Sequence, residues 1–143
     1  MEYTILSEAS MRQLGEQIAQ GLKGGEIIQL VGDIGAGKTT LTKGIAAGLG
    51  IVDDVQSPSF TISRTYTIAQ DLQLVHYDFY RLSDPGILAA ELRDSIGDPH
   101  TIIIVEWADI IKDVLPDDHI TITIESPSEQ SRHVSITPNN LLD

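Results

Sequence analysis

Gly32-Asp33-Ile34-Gly35-Ala36-Gly37-Lys38-Thr39 is the stretch on which the reading of this chain turns. It matches G-x-x-x-x-G-K-[ST] at every constrained position, which average residue usage gives by chance in roughly one chain of this length in 200. Before it, Glu26-Ile27-Ile28-Gln29-Leu30-Val31 reads as a buried strand stopped by Gly32. After it, Leu41, Ile45 and Leu49 recur at helical spacing, and Gly50 is a natural cap past the helix end. Strand, glycine-rich turn and helix is the context that gives this pattern a mechanism. The glycines let the backbone curl so that successive N–H groups converge on a phosphate, helped by the positive end of the following helix. Lys38 would then reach the β- and γ-phosphates of a nucleotide, and the Thr39 hydroxyl would ligate magnesium.

The flanking sequence supplies the rest of an α/β pattern. A first helix is predicted from Ser7 to about Leu22, because Met11, Leu14, Ile18 and Leu22 repeat at three- and four-residue steps, and Lys23-Gly24-Gly25 ends it. Phe60 to Ala69 and Leu72 to Tyr77 read as paired strands with Gln70-Asp71 as the turn. Ser83-Asp84-Pro85 opens a short helix, with Asp84 as cap and Ile87, Leu88 and Leu92 as its buried stripe. Gly97-Asp98-Pro99 makes a turn into Thr101-Ile102-Ile103-Ile104-Val105, which is apolar on both faces and fits a central parallel strand. His119 to Glu125 and Arg132 to Ile136 alternate cleanly and predict a half-exposed hairpin across Ser126-Pro127-Ser128. The order strand, helix, hairpin, helix, strand, hairpin predicts an α/β fold with a mixed sheet.

Composition narrows the functional classes. At 143 residues the chain has the length of a single domain, expected to cover 1–143. With 41% hydrophobic and 21% charged residues it is of ordinary globular type. It contains no cysteine, which excludes disulfides, thiolate metal sites and cysteine nucleophiles. The N-terminal residues lack a basic start and a long apolar run, and Ile102 to Val105 is far too short to span a bilayer, so a cytoplasmic protein is expected. Nine Lys and Arg stand against 21 Asp and Glu, a formal charge of −12 that disfavours strong direct binding to nucleic acid or anionic membranes. The same acidity suits docking to a basic protein partner.

Adenine is the expected base, since no N-K-x-D segment of the guanine-specific kind is present. A nucleotide-hydrolysing site also needs acidic groups near the metal, usually at the end of a buried strand. Glu106 follows the apolar strand and would arrive at the sheet's carboxyl edge, where ligands bind. Asp78 ends the strand through Leu74 and His76 in the same way. One can act on magnesium and the other on the attacking water, and spacing does not divide these roles. Ser57-Pro58-Ser59-Phe60-Thr61 places three hydroxyls on a kinked segment that can sense a γ-phosphate, or is simply a polar turn entering a strand. His76 stands alone near Asp78, and the four histidines are scattered, so neither a histidine metal site nor a Ser-His-Asp arrangement is indicated.

Taken together, these motifs resemble the TsaE (YjeE) family. The residues that carry the resemblance are Gly32 to Thr40, Ser57 to Thr61, His76-Tyr77-Asp78-Phe79-Tyr80-Arg81-Leu82 and Glu106-Trp107. Leu115-Pro116 before an alternating strand and Arg132 in an R-x-V-x-I stretch fit as well. The family has Thr more often where this chain has Ser59, and Gly86 to Ile96 matches its acidic helix only loosely because Arg93 interrupts it. The resemblance implies a P-loop NTPase-like, three-layer fold with a mixed, largely parallel central sheet and antiparallel hairpins. It implies a bacterial ATPase that assists threonylcarbamoyladenosine formation on tRNA, with the transfer performed by a TsaB–TsaD complex. ATP and Mg2+ are the implied cofactors, bound along Asp33, Gly35, Ala36, Gly37, Lys38, Thr39 and Thr40. Lys38 and Thr40 would hold phosphate, Thr39 and Glu106 would bind magnesium, and Asp78 would lie at the γ-phosphate and catalytic water. Trp107 would border the site and Arg132 would approach the nucleotide. On this view the partners carry the tRNA.

Two other functions share the phosphate loop. A small-molecule kinase would need a lid with several arginines, and Arg64, Arg81 and Arg93 are far apart in sequence. A nucleotide-gated docking module with little hydrolysis would use the same residues as an ATPase.

Overall fold

The computed structural model describes residues 1–32, 37–52, 63–69, 71–78, 86–106 and 115–137. Along the chain come β1 (Glu2–Ile5), α1 (Glu8–Gln20), β2 (Ile27–Val31), α2 (Lys38–Gly48) and β3 (Ser63–Ala69). They are followed by β4 (Leu72–Asp78), α3 (Gly86–Ser95), β5 (Thr101–Glu106), β6 (Ile120–Ser128) and β7 (Ser131–Thr137). The strands among the described residues pair in the order β1-β7-β6-β2-β5-β4-β3. Pairing is parallel between β4 and β5 and antiparallel at β1–β7, β6–β7 and β3–β4, so the sheet is mixed and the α/β class expected from the sequence is observed. The elements fall into two compact units, with β2 contributing its start to one and its end to the other.

The unit holding α1, α2, β1, β7 and nearly all of β6 is built on a close helix pair. On α1, Met11, Leu14 and Ile18 form the buried stripe that the sequence spacing predicts. On α2, positions 38, 41, 42, 45 and 46 are buried, the i, i+3, i+4, i+7, i+8 pattern of one helix face. The two backbones meet at glycines: a Cβ on Gly44 would clash with the Arg12 carbonyl oxygen, and one on Gly15 would stand 2.6 Å from that of Leu41. No side chain fits at either point, so the register of α2 against α1 is fixed at the level of the main chain. That contact holds the N-terminus of α2 in place. In the hairpin, Ile122 lies opposite Ile136 and Ile124 opposite Val134, all buried.

The other unit contains β3, β4, α3 and β5 with the start of β2. Every residue of β5 is buried, as expected of a strand apolar on both faces. The pleat sorts its neighbours by parity. Val75, Tyr77, Ile103 and Val105 form one cluster with Ile27 and with Ala89 and Leu92 of α3. Leu74, His76 and Asp78 of β4 share the opposite face with Ile102, Ile104 and Glu106 of β5. The Ile103 N–H donates to the Glu26 carbonyl at 3.0 Å and the Gly25 N–H to that of Thr101 at 2.9 Å.

Three features depart from the sequence reading. Strand β1 was not expected; it pairs antiparallel with β7, from Glu2↔Ser135 to Ile5↔Arg132. Helix α1 stops at Gln20, ahead of the Lys23-Gly24-Gly25 signal, with Gly21 as its cap. The hairpin does not turn at Ser126-Pro127-Ser128: β6 runs on to Ser128, which pairs with Ser131, and the register shifts between Glu125 and Ser128. An irregularity of that kind takes in a proline that a regular ladder would exclude. The turn falls instead on Glu129 and Gln130. The predicted cap at Ser83 to Pro85 lies outside the described residues, whereas Leu92 of that helix is buried as predicted.

Candidate nucleotide-phosphate site

Helix α2 begins in a way that serves an anion better than it serves the helix. Its cap is Gly37, held at φ +110°, where a side chain is strained; a Cβ there would also lie 3.1 Å from the Met11 Cε. Among the described residues no side chain caps the first turn, and no acidic residue lies in it. Lys38 opens the helix on its buried face and is only 7% exposed. A cation at the positive end of a helix opposes the backbone dipole, typically at about 0.3–1 kcal/mol. Thr39 and Thr40 follow half-buried in the same turn. Buried Thr42 returns its hydroxyl to the Lys38 carbonyl at 2.8 Å, and the Leu41 N–H donates to the Gly37 carbonyl at 2.9 Å. The sequence-predicted residues Gly37, Lys38, Thr39 and Thr40 are thus brought together. Asp33, Gly35 and Ala36 lie outside the described residues, as do Trp107 and the Ser57 to Thr61 segment.

The two predicted carboxylates are also brought together, in the other unit. Asp78 and Glu106 end parallel strands β4 and β5 as register partners, on the same face and at the same carboxyl edge. Asp78 is half-buried, and Glu106 is 4% exposed. Sequence reasoning passed over their neighbour. His76, 1% exposed, sits diagonally across the strand pair, and its Nε2–H donates to Glu106 Oε2 at 2.6 Å. The carboxylate therefore leans back along the sheet toward His76. A short hydrogen bond to an ionised acceptor is of the stronger class. The His76 Nδ1 is buried with no hydrogen-bond partner among the described residues, a condition that costs about 1–3 kcal/mol for a buried polar group. Tyr77 faces away, toward α3; burial and then the Glu91 carboxylate raise its pKa, against a smaller opposing effect from a hydrogen bond with Ser95.

Arg132 lies in β7, and its guanidinium donates to the carbonyls of Ser128 at 3.1 Å, Glu129 at 3.4 Å and Ser131 at 2.8 Å, folding over its own turn.

The Thr39 hydroxyl in one unit and the Asp78 and Glu106 carboxylates in the other are each of a ligand type that magnesium takes. Hydroxyl and carboxylate oxygens are the ligands that magnesium takes, and it is commonly held by one or two carboxylates with substrate phosphates rather than by a full protein cage. Among the described residues no three His, Cys, Asp or Glu side chains cluster as such a cage. The helix start with its glycine cap and basic residue suits the phosphates.

Known proteins of one family are similar to this chain. A family model described as threonylcarbamoyl adenosine biosynthesis protein TsaE matches residues 5–134. Among curated proteins, the tRNA threonylcarbamoyladenosine biosynthesis protein TsaE of Streptomyces coelicolor is 36% identical, over 89% of each chain. The protein of the same name from Aquifex aeolicus is 38% identical over 94% of each chain, and that from Bacillus subtilis 34% identical over 96% of this chain and 85% of its own. Among solved structures, the crystal structure of Bacillus subtilis YdiB superposes with a TM-score of 0.78 at 31% identity, covering 95% of this chain and 83% of YdiB.

Proposed function

The chain belongs to the TsaE family, involved in threonylcarbamoyladenosine biosynthesis on tRNA, and from that membership we propose an ATP-driven accessory role in this modification. The protein binds ATP with magnesium, hydrolyses it slowly and acts on the TsaB–TsaD complex, which performs the transfer. Its setting is the cytoplasm, and tRNA is held by the partners. The observation that carries this reading is the start of α2, where a left-handed glycine cap and a buried lysine coincide with the phosphate-loop pattern. The charge of −12 supports leaving the RNA to the partners.

Each residue then has one task. Asp33 to Gly37 are assigned to the phosphates by the sequence pattern, Lys38 holds the β- and γ-phosphates, and Thr40 adds a phosphate contact. Thr39 and Glu106 would hold the magnesium. Magnesium, when bound, neutralises charge on the phosphate oxygens. Asp78 orients the attacking water and accepts its proton. Arg132 is assigned to the nucleotide by the family pattern alone.

The test is ATP hydrolysis by the purified chain, alone and with TsaB–TsaD, with no small-molecule acceptor present. Slow turnover that the partners raise is the expected result. Tight ATP-dependent association without turnover would make the protein a nucleotide-gated docking module instead. Turnover that requires a small acceptor would make it a kinase.

A further inference from the structure

Behind Glu106 lies a buried histidine that the nucleotide chemistry described so far does not use. We infer that His76 is a positioning residue, fixing the Glu106 carboxylate in the orientation from which it serves magnesium. The inference rests on the proposed role of Glu106 and extends it.

The geometry gives His76 little else to do. Its ring shares a buried sheet face with Leu74, Ile102 and Ile104, all 0% exposed, where an aliphatic side chain would pack without any polar demand. The imidazole instead commits Nε2–H to Glu106 Oε2 at 2.6 Å and leaves Nδ1 buried without a partner among the described residues. The buried imidazole is accounted for by the bond it makes rather than by packing alone. The gain here is directional. A glutamate at a strand end has three side-chain torsions and, left to itself, samples many carboxylate orientations. The short bond to a ring packed in the sheet restricts them along one direction. Carboxylates that ligate metals are commonly held by a further hydrogen bond of this kind, whose loss weakens metal affinity by roughly 10- to 100-fold.

The test uses the full chain and a fluorescent ADP analogue, titrated first in chelator and then with increasing magnesium. His76→Leu keeps the volume and removes the donor; His76→Gln returns an N–H at similar reach. Glu106→Gln serves as the reference for loss of the carboxylate. Thermal melts confirm that each variant is folded. The expected result is that His76→Leu binds nucleotide in chelator as the wild type does, but needs at least tenfold more magnesium for its metal-dependent change. His76→Gln recovers most of that difference, and Glu106→Gln shows a loss as large as or larger than that of His76→Leu. A purely structural histidine would lower the melting temperature in both His76 variants and leave the magnesium midpoint where it was, which overturns the inference alone. If Glu106→Gln also leaves the midpoint unmoved, the role of Glu106 fails and the inference with it. A wild type that binds no nucleotide removes both.

Discussion

Helices α1 and α2 pack against each other, yet their first turns are built on opposite terms. At α1, Ser7 caps the helix by accepting from the Ser10 N–H at 3.0 Å, and Glu8 places negative charge at the positive end of the dipole. At α2 the cap is a left-handed glycine without a side chain, and the first residue is a buried cation. The first arrangement completes the helix from within the chain. The second leaves the completion of the helix start, on the function proposed above, to an external anion. A helix start with a left-handed glycine cap and a buried lysine, on a helix packed closely against α1 at Gly15 and Gly44, is the arrangement that the proposed phosphate site requires.

That contrast can be broken or sharpened by measurement. The largest effect is expected from ligand. ADP with magnesium at a hundredfold over its dissociation constant adds about 2.7 kcal/mol of stability, read from urea midpoints with and without nucleotide. No shift would leave the α2 start as an unexplained weakness. Next comes Gly37→Ala, which forces a side chain to φ +110° against Met11. It lowers stability by about 2 kcal/mol and weakens ADP binding in the same protein, as followed by denaturation and titration. Ser7→Ala removes the α1 cap and costs about 1 kcal/mol, while ADP affinity stays at the wild-type value. A change in affinity there would show that the two helix ends are not independent. Smallest is Glu8→Gln, about 0.5 kcal/mol at low salt and less as salt is raised.

The parts of the molecule legible from sequence are those whose signal is local. The phosphate-loop pattern, the stripe on α1 and the apolar run of β5 each declare themselves within a few residues. Strand β1 does not: four residues carry too little alternation, and its partners in β7 lie about 130 residues away along the chain, beside the bond from the Met1 ammonium to the Ile136 carbonyl. Pro127 misled for a related reason, because a proline beside two serines has turn chemistry and only the strand register shows it accommodated within β6. His76 was set aside as a solitary histidine. Its partner lies 30 residues away and meets it only because β4 and β5 run parallel in a register that sets Asp78 opposite Glu106. A histidine two residues before a strand-end aspartate, with a glutamate ending a second apolar strand, was the available signal.

The central claim is that the first turn of α2 is a nucleotide-phosphate site centred on Lys38. Calorimetric titration of ATP with magnesium into the wild type, Lys38→Ala and Ser7→Ala tests it most directly. The account predicts one saturable site in the wild type, an unchanged site in Ser7→Ala, and affinity reduced by about 100-fold or more in Lys38→Ala, a loss of about 2.7 kcal/mol. Binding in Lys38→Ala equal to that of the wild type would contradict it.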